Sequence, residues 1–254
     1  MEVRMKILFE NCKVFDSAVR VFKSRSILVC DGIILDIIRT NDHAHGVDSV
    51  IDCEGRHVIP GLVDIYARGF ACGDFNTADA DEMRAMAREY SYCGVTSIFP
   101  TLSLDDSDSF SSQFELINSI KGDTDGAEFF CVHRQSDLLA DLESRGFCGI
   151  VCDGIEFPPE AVAEAYRKIG MDRLFLAGEY GNHLKNGVEN LAEFANIPIE
   201  DALICATLTP ARAVGLDHMI GKLAVGNRAD FIIGSVSGKH IEIDQVFVGG
   251  EEVY

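Results

Sequence analysis

No part of the 254-residue chain approaches the ~18 consecutive apolar residues that a membrane-crossing helix needs. The opening, MEVRMKILFE, is too charged and too short for a secretory signal. Both absences predict a cytoplasmic protein with no membrane partner. Basic residues are also scarce: 22 Lys and Arg stand against 41 Asp and Glu, for a formal net charge of −19. Such a surface repels nucleic acid and anionic lipid alike. A sugar phosphate is not excluded, because a few amides and one arginine decide its binding locally. The nine cysteines lack the even count and spacing of a disulfide framework. Most lie among apolar neighbours, as in Leu28-Val29-Cys30 and Phe130-Cys131-Val132, which predicts reduced, buried thiols. Cys148 and Cys152 frame CGIVC on a predicted strand, where ~3.3 Å per residue separates them too widely to share one ion.

What is present is an ordinary globular composition, 47% hydrophobic and 25% charged. The organising stretch is HVIPGLVDIYARG, residues 57–69. Val58 and Ile59 lead into the turn signal Pro60-Gly61, and Leu62, Val63 and Ile65 continue as the short apolar run of a buried parallel strand. Alternation along that strand puts Asp64, Tyr66 and Arg68 on one face, ending together at its C-terminal mouth. In a (β/α)8 enzyme, catalysis takes place at that mouth.

Before this stretch, MKILFENCKVF, AVRVF, SILVC and IILDII read as strands, with Asp31-Gly32 as a hairpin turn. His43 and His45 lie in the polar segment NDHAHG and read as a solvated loop. Near the C-terminus, GKLAVGNRADFIIG and IDQVFVGGEEVY read as hairpin strands, the first around Val225-Gly226-Asn227. Between the two ends, strand and helix signals alternate. A helix is predicted from about Asp79 to Tyr92 and stops at Cys93-Gly94, with Met83, Met86, Ala87 and Tyr90 as its core face. VTSIFPTL then reads as a strand, 110–120 as a helix, EFFCVHR as a strand and SDLLADLESRG as a short helix. CGIVCDGIEF and DRLFLAGE, residues 172–179, are further strands. The remaining helices are PPEAVAEAYRKIG, VENLAEFA, IEDALICAT and TPARAVGL.

Residues 60–68 resemble the opening strand of the amidohydrolase superfamily, Pro-Gly-Leu-Val/Ile-Asp-x-His-x-His. Within it the chain is most similar to the N-acetylglucosamine-6-phosphate deacetylase family. Gly94-Val95-Thr96-Ser97, Pro100-Thr101-Leu102, Thr207 to Ala213, and the closing phrase carrying Gly221, Leu223, Ala224, Gly226, Ala229 and Asp230 support the same resemblance. It implies an α/β fold: an incomplete TIM-like (β/α) barrel over residues 57–216, plus a small β-sandwich formed by residues 1–56 and 217–254. About three βα units of the barrel are missing, because Val58 to Thr209 spans 152 residues against ~250 for a whole barrel.

The resemblance also implies hydrolysis of an acetamide C–N bond on an amino-sugar phosphate, with a divalent metal such as zinc. Yet Tyr66 and Arg68 occupy the positions of the two metal-binding His, and Gln135 that of a metal-binding Glu. A phenol, a guanidinium and a neutral amide hold a transition metal poorly or not at all. The segment that brings the family's further His ligands and phosphate-holding residues is absent. No metal or other cofactor is therefore expected, and the parental activity is expected to be lost.

Tyr66, Arg68, Arg134, Gln135, Asp153 and Glu156 are the candidate substrate contacts. Glu179, a possible counterpart of the family's general acid/base Asp, and His133 are the catalytic candidates; the LAGE phrase around Glu179 also resembles a later Leu-Ala-Gly-Ser. The alternatives are a non-catalytic amino-sugar or protein-binding regulatory homologue, or a hydrolase with a rebuilt carboxylate site from Asp64, Asp153, Glu156 and Glu179. The open edges of an incomplete barrel predict a homodimer.

Overall fold

The computed structural model describes residues 5–39, 42, 44–70, 73–151, 159–178 and 184–254. Strands β1 (Lys6–Asp16), β2 (Val21–Cys30) and β3 (Ile33–Arg39) form successive antiparallel hairpins. Asp31 and Gly32 connect β2 to β3 with φ of 51° and 75°, the paired left-handed conformation that a two-residue hairpin turn needs. Next, β4 (Ser49–Asp52) and β5 (His57–Pro60) each lie parallel to β1.

Past Gly61 the chain alternates strands and helices. It runs through β6 (Leu62–Ala67), the small hairpin β7 (Gly69–Phe70) and β8 (Gly73–Asp74), α1 (Ala80–Tyr92), β9 (Val95–Leu102) and α2 (Ser107–Ser119). β10 (Glu128–Phe129), β11 (His133–Arg134), α3 (Gln135–Ser144), β12 (Cys148–Val151), α4 (Pro159–Ile169) and β13 (Leu174–Ala177) follow. Helices α5 (Leu184–Phe194), α6 (Ile199–Ala206) and α7 (Leu208–Ala213) lead back to β14 (Phe231–Ser237), β15 (His240–Val248) and β16 (Glu251–Glu252).

The two ends of the chain share one eight-stranded sheet, ordered β16-β15-β14-β5-β1-β2-β3 with β4 also on β1. Phe9, Phe231 and Phe247 meet at its centre with ring centroids 4.9–5.0 Å apart, two of the three pairs edge to face. Only Phe231 onward forms the strand expected near Val225. Residues 221–230 instead run as a loop held on the β2–β3 hairpin, through Gly226 N to Ile34 O and Ala229 N to Gly32 O at 2.9 and 2.8 Å. The hairpin edge is already supplied by backbone groups, so no second strand forms there.

In the middle section every interstrand pairing is parallel except the β7–β8 hairpin. β6 pairs with β9, β9 with β10 and β11, and β12 with β13. The architecture is mixed α/β. Among the described residues the strands form no closed barrel, and no ladder joins β12–β13 to β6. The single strand expected at EFFCVHR is split into β10 and β11. Its partner β9 carries Pro100 between the two paired segments, and proline has no N–H to continue the ladder.

Helix α1 shows how closely local chemistry sets the boundaries. Asp79 accepts from the Asp81 and Glu82 amides while Glu82 reaches back to the Asp79 amide, a complete capping box. Gly94, at φ 80°, follows the C-cap. Met83, Met86, Ala87 and Tyr90 are all fully buried, as their spacing predicts. CGIVC supplies β12; Cys152 lies outside the described residues.

Gly61 is the point where one strand passes from the first sheet to the second. Its amide donates to Asp230 O at 3.0 Å, and the Leu62 amide to Gly94 O at 2.9 Å. A Cβ on Gly61 would lie 2.0–2.6 Å from all three nearest Thr96 side-chain atoms, and Thr96 is itself buried. Gly61→Ala is therefore expected to destabilise the protein by ~2 kcal/mol or more through overpacking. Gly61→Ala/Thr96→Ser, which removes one of the clashing atoms, should recover part of the loss in urea melts. An unchanged midpoint for Gly61→Ala would show that the junction is not tightly packed.

Candidate active site

All six residues of β6 are buried, so the polar groups it carries must be answered from within the protein. Asp64, 0% exposed, accepts from the Tyr66 amide at 3.1 Å and from the Gly178 amide at 3.2 Å. Its carboxylate thereby ties β6 to the residue just past β13, two neighbours that no ladder connects. This is a structural use of the charge. It leaves Asp64 poorly suited to the rebuilt carboxylate site, whose other members, Asp153, Glu156 and Glu179, lie outside the described residues. His43 lies outside them too, while His45 is exposed in irregular chain, as a solvated loop should be.

Two residues on Asp64, Tyr66 lies at the mouth of β6. The Gln135 side-chain amide, at the start of α3, donates to Tyr66 Oη at 2.7 Å. Gln135 reaches it because β11 lies on the far side of β9 from β6 and ends level with Thr101 and Leu102. These are two of the three positions that the sequence resemblance assigns to metal ligands, and here they bind each other. An amide nitrogen that donates a hydrogen bond has no lone pair for a cation, and a neutral phenol is a weak ligand. A divalent metal of the amidohydrolase kind does not fit this donor set. Among the described residues no group of three or more His, Cys, Asp or Glu is placed to hold an ion.

The arginines divide. Arg68, just past β6 and partly exposed, lies 3.5 Å from Ser103 Oγ through Nη2. Arg134 is turned toward α2: its Nη1 donates to Leu104 O and its guanidinium lies 4.0 Å above the Phe110 ring. Sequence reasoning groups Arg134 with the mouth; its contact with Phe110 holds it on α2, where a cation–π interaction stabilises it. His133 stacks on Phe99 with centroids 5.9 Å apart, and its Nε2 is buried without a hydrogen-bond partner. Burial pushes its pKa below the usual histidine value, which keeps the ring neutral at pH 7.

Neighbouring segments reinforce the mouth in ways no motif signals. Tyr90 Oη donates to Gly69 O at 2.6 Å, and Asn76 Oδ1 accepts from the Ser103 amide at 2.8 Å. Gln113 donates to the Phe75 and Ala78 carbonyls, both at 2.8 Å. The segment after β6 is thus held by side chains from α1, α2 and the loop itself. Their only sequence-level hint is that they are polar residues beside a strand end.

An amidohydrolase family model matches residues 132–253. The N-acetylglucosamine-6-phosphate deacetylase of Vibrio furnissii is 29% identical over 147 residues, which cover 44% of this chain and 36% of that protein. Over these residues the chain is similar to the amidohydrolase family. The match spans little more than a third of the curated relative's length, so that protein's activity does not pass to the homologue by similarity. The fold agrees over a greater span. The Pasteurella multocida deacetylase superposes with a TM-score of 0.78 at 14% identity, covering 98% of this chain and 99% of that one. A variant of the Mycobacterium smegmatis enzyme, solved in complex with N-acetyl-D-glucosamine-6-phosphate, gives a TM-score of 0.70 at 14% identity, covering 98% and 99%. At these identities the structural likeness establishes the fold alone. No helix of the described residues is long and apolar enough to cross a membrane.

Two tests follow from the site. Tyr66→Phe strands the Gln135 amide and is expected to lower stability by ~1 kcal/mol, with Tyr66→Phe/Gln135→Leu losing less than the sum of the single changes. Additive effects would mean that the pair does not interact. The second test uses pH. His133 and His57, the latter accepting from the Val236 amide through Nδ1 at 3.2 Å, both have pKa values lowered chiefly by burial. The unfolded chain, titrating near ~6.5, therefore takes up these protons first. Their stabilisation is complete above that value and is lost as the pH falls from there through the lower folded values. Urea midpoints should fall between pH 7 and 5, and less steeply in His57→Gln and His133→Gln. An unchanged slope in both variants would overturn the assignment.

Proposed function

We propose that this amidohydrolase homologue keeps a deacetylase-type scaffold and an affinity for an amino-sugar phosphate, without metal-dependent hydrolysis of the acetamide C–N bond. The observation that carries the proposal is the Tyr66–Gln135 hydrogen bond. It pairs two side chains at positions the resemblance assigns to metal ligands, and neither can replace an imidazole or a carboxylate as ligand. The scaffold is a small β-sandwich from residues 1–56 and 217–254 beside an incomplete barrel of residues 57–216. The parallel pairs β6–β9 and β12–β13 support this reading as remnants of that barrel.

In this reading Arg68 meets the anionic group of the ligand, and Tyr66 and Gln135 meet its amide and hydroxyl groups. Arg134 takes a supporting place through α2. Asp153 and Glu156 belong to the same mouth by sequence. The ligand class rests on the curated relative and on the sugar phosphate bound by the Mycobacterium smegmatis protein. His133 is the neutral base nearest in sequence to Gln135, and Glu179 is the remaining catalytic candidate. A cytoplasmic location and a homodimer that covers the open strand edges complete the proposal.

Metal analysis of the purified chain, an acetate-release assay on N-acetylglucosamine-6-phosphate, and a thermal shift with the same compound test it together. The expected results are far less than one zinc per chain, acetate release at the buffer rate, and a rise in Tm that Arg68→Ala abolishes. Stoichiometric metal with ready acetate release would overturn the loss of chemistry. An unchanged Tm at millimolar sugar phosphate would overturn the ligand assignment.

A further inference from the structure

The eight-stranded sheet brings two thiols together. β1 changes neighbour midway along its length: residues 7–10 pair with β4, residues 13–14 with β5. At the change β1 carries a register shift between Phe9 and Cys12, with Asn11 at φ 55°. The crossing segment is fixed at the same place. The Cys53 amide donates to Glu10 O at 2.9 Å and the Gly55 amide to Asn11 O at 2.8 Å, while Glu54 is also left-handed at φ 54°. This geometry leaves Cys12 Sγ 3.2 Å from Cys53 Sγ, with both residues buried at 2% and 0% exposure.

We propose that Cys12 and Cys53 form a redox-active dithiol, oxidised to an intramolecular disulfide by a small hydroperoxide. Three observations support it beyond proximity. The two sulfurs are held by backbone hydrogen bonds on both sides of the pair, so closing the bond needs little main-chain movement. A cleft of about 290 Å³, lined by Asn11, Cys12, Lys13, Ser24, Glu54 and Gly55, gives a small oxidant a route to the pair from the Cys12 side. The shared hydrogen bond also differentiates the thiols, pushing Cys12 well up and Cys53 below the ordinary thiol value. The cleft opens on the Cys12 side of the pair, while Cys53 lies fully buried behind it.

The chemistry balances. A thiolate of the pair attacks one peroxide oxygen, the O–O bond breaks, and the departing hydroxide takes up a proton to become water, leaving a sulfenic acid. The second sulfur then displaces that hydroxyl, which leaves as a second water with that thiol's proton, and the Sγ–Sγ bond forms. Two electrons pass from the sulfurs to the peroxide. The cross-link closes residues 12–53 into a loop and stabilises the sheet by restricting the unfolded chain.

The test treats the full chain with stoichiometric hydrogen peroxide, alkylates the remaining thiols under denaturing conditions, and maps the peptides by mass. The expected outcome is a loss of two of the nine thiols, a linked peptide joining Cys12 to Cys53, and a Tm raised by roughly 5–10 °C that dithiothreitol reverses. Cys12→Ser and Cys53→Ala should each remove the link and the rise in Tm, and their melts report whether they fold. The exposed Cys131 serves as a control for reagent activity. Oxidation of Cys131 with Cys12 and Cys53 both still free, a link between other cysteines, or Cys53 carried to sulfinic acid without a link would overturn the proposal.

Discussion

The structure depends on one narrow passage. At Gly61 a single extended chain leaves an eight-stranded sheet and becomes the buried strand that carries Asp64, Tyr66 and, just past its end, Arg68. The backbone is held on both sides, by Asp230 O and Gly94 O, and Thr96 fills the space where a side chain would be. Everything downstream takes its position from that strand: β9 pairs along it, Gly178 caps its carboxylate, and Gln135 meets its tyrosine. The first sheet is not an appendage. Through β5 and β14 it sets the angle at which the mouth is presented.

At the mouth, polar side chains have closed on one another. In a hydrolytic site, buried carboxylates and imidazoles are kept apart by the ion they share. Here an amide and a phenol satisfy each other directly, Asp64 is engaged by backbone amides, and Arg134 is turned onto an aromatic ring. Each contact removes a desolvation cost that an unpaired group would carry in so buried a place. A packed contact of another kind is the thiol pair, where a register change in β1 brings together two small sulfur side chains.

Much of the fold is legible from local chemistry. The Asp31-Gly32 turn, the α1 capping box and β9 follow from residues within a few positions of each other, where propensity, capping and alternation act. The loop at 221–230 and the division of EFFCVHR do not, because the first depends on carbonyls of a hairpin nearly two hundred residues away and the second on a proline in the adjoining strand. The site is divided in the same way. That Tyr66, Arg68 and Gln135 are poor metal ligands is a property of their side chains, evident before any coordinates.

The sequence by itself determined which donors, acceptors and charges stand at the mouth, because these go with a residue's identity. Only the tertiary structure decided that Tyr66 and Gln135 pair, that Asp64 joins two strands no ladder connects, that Arg134 turns away, and that Cys12 meets Cys53. Those are contacts between residues 41 to 114 positions apart, or choices between the two faces of a strand. No local pattern encodes them, since they arise from packing of whole elements.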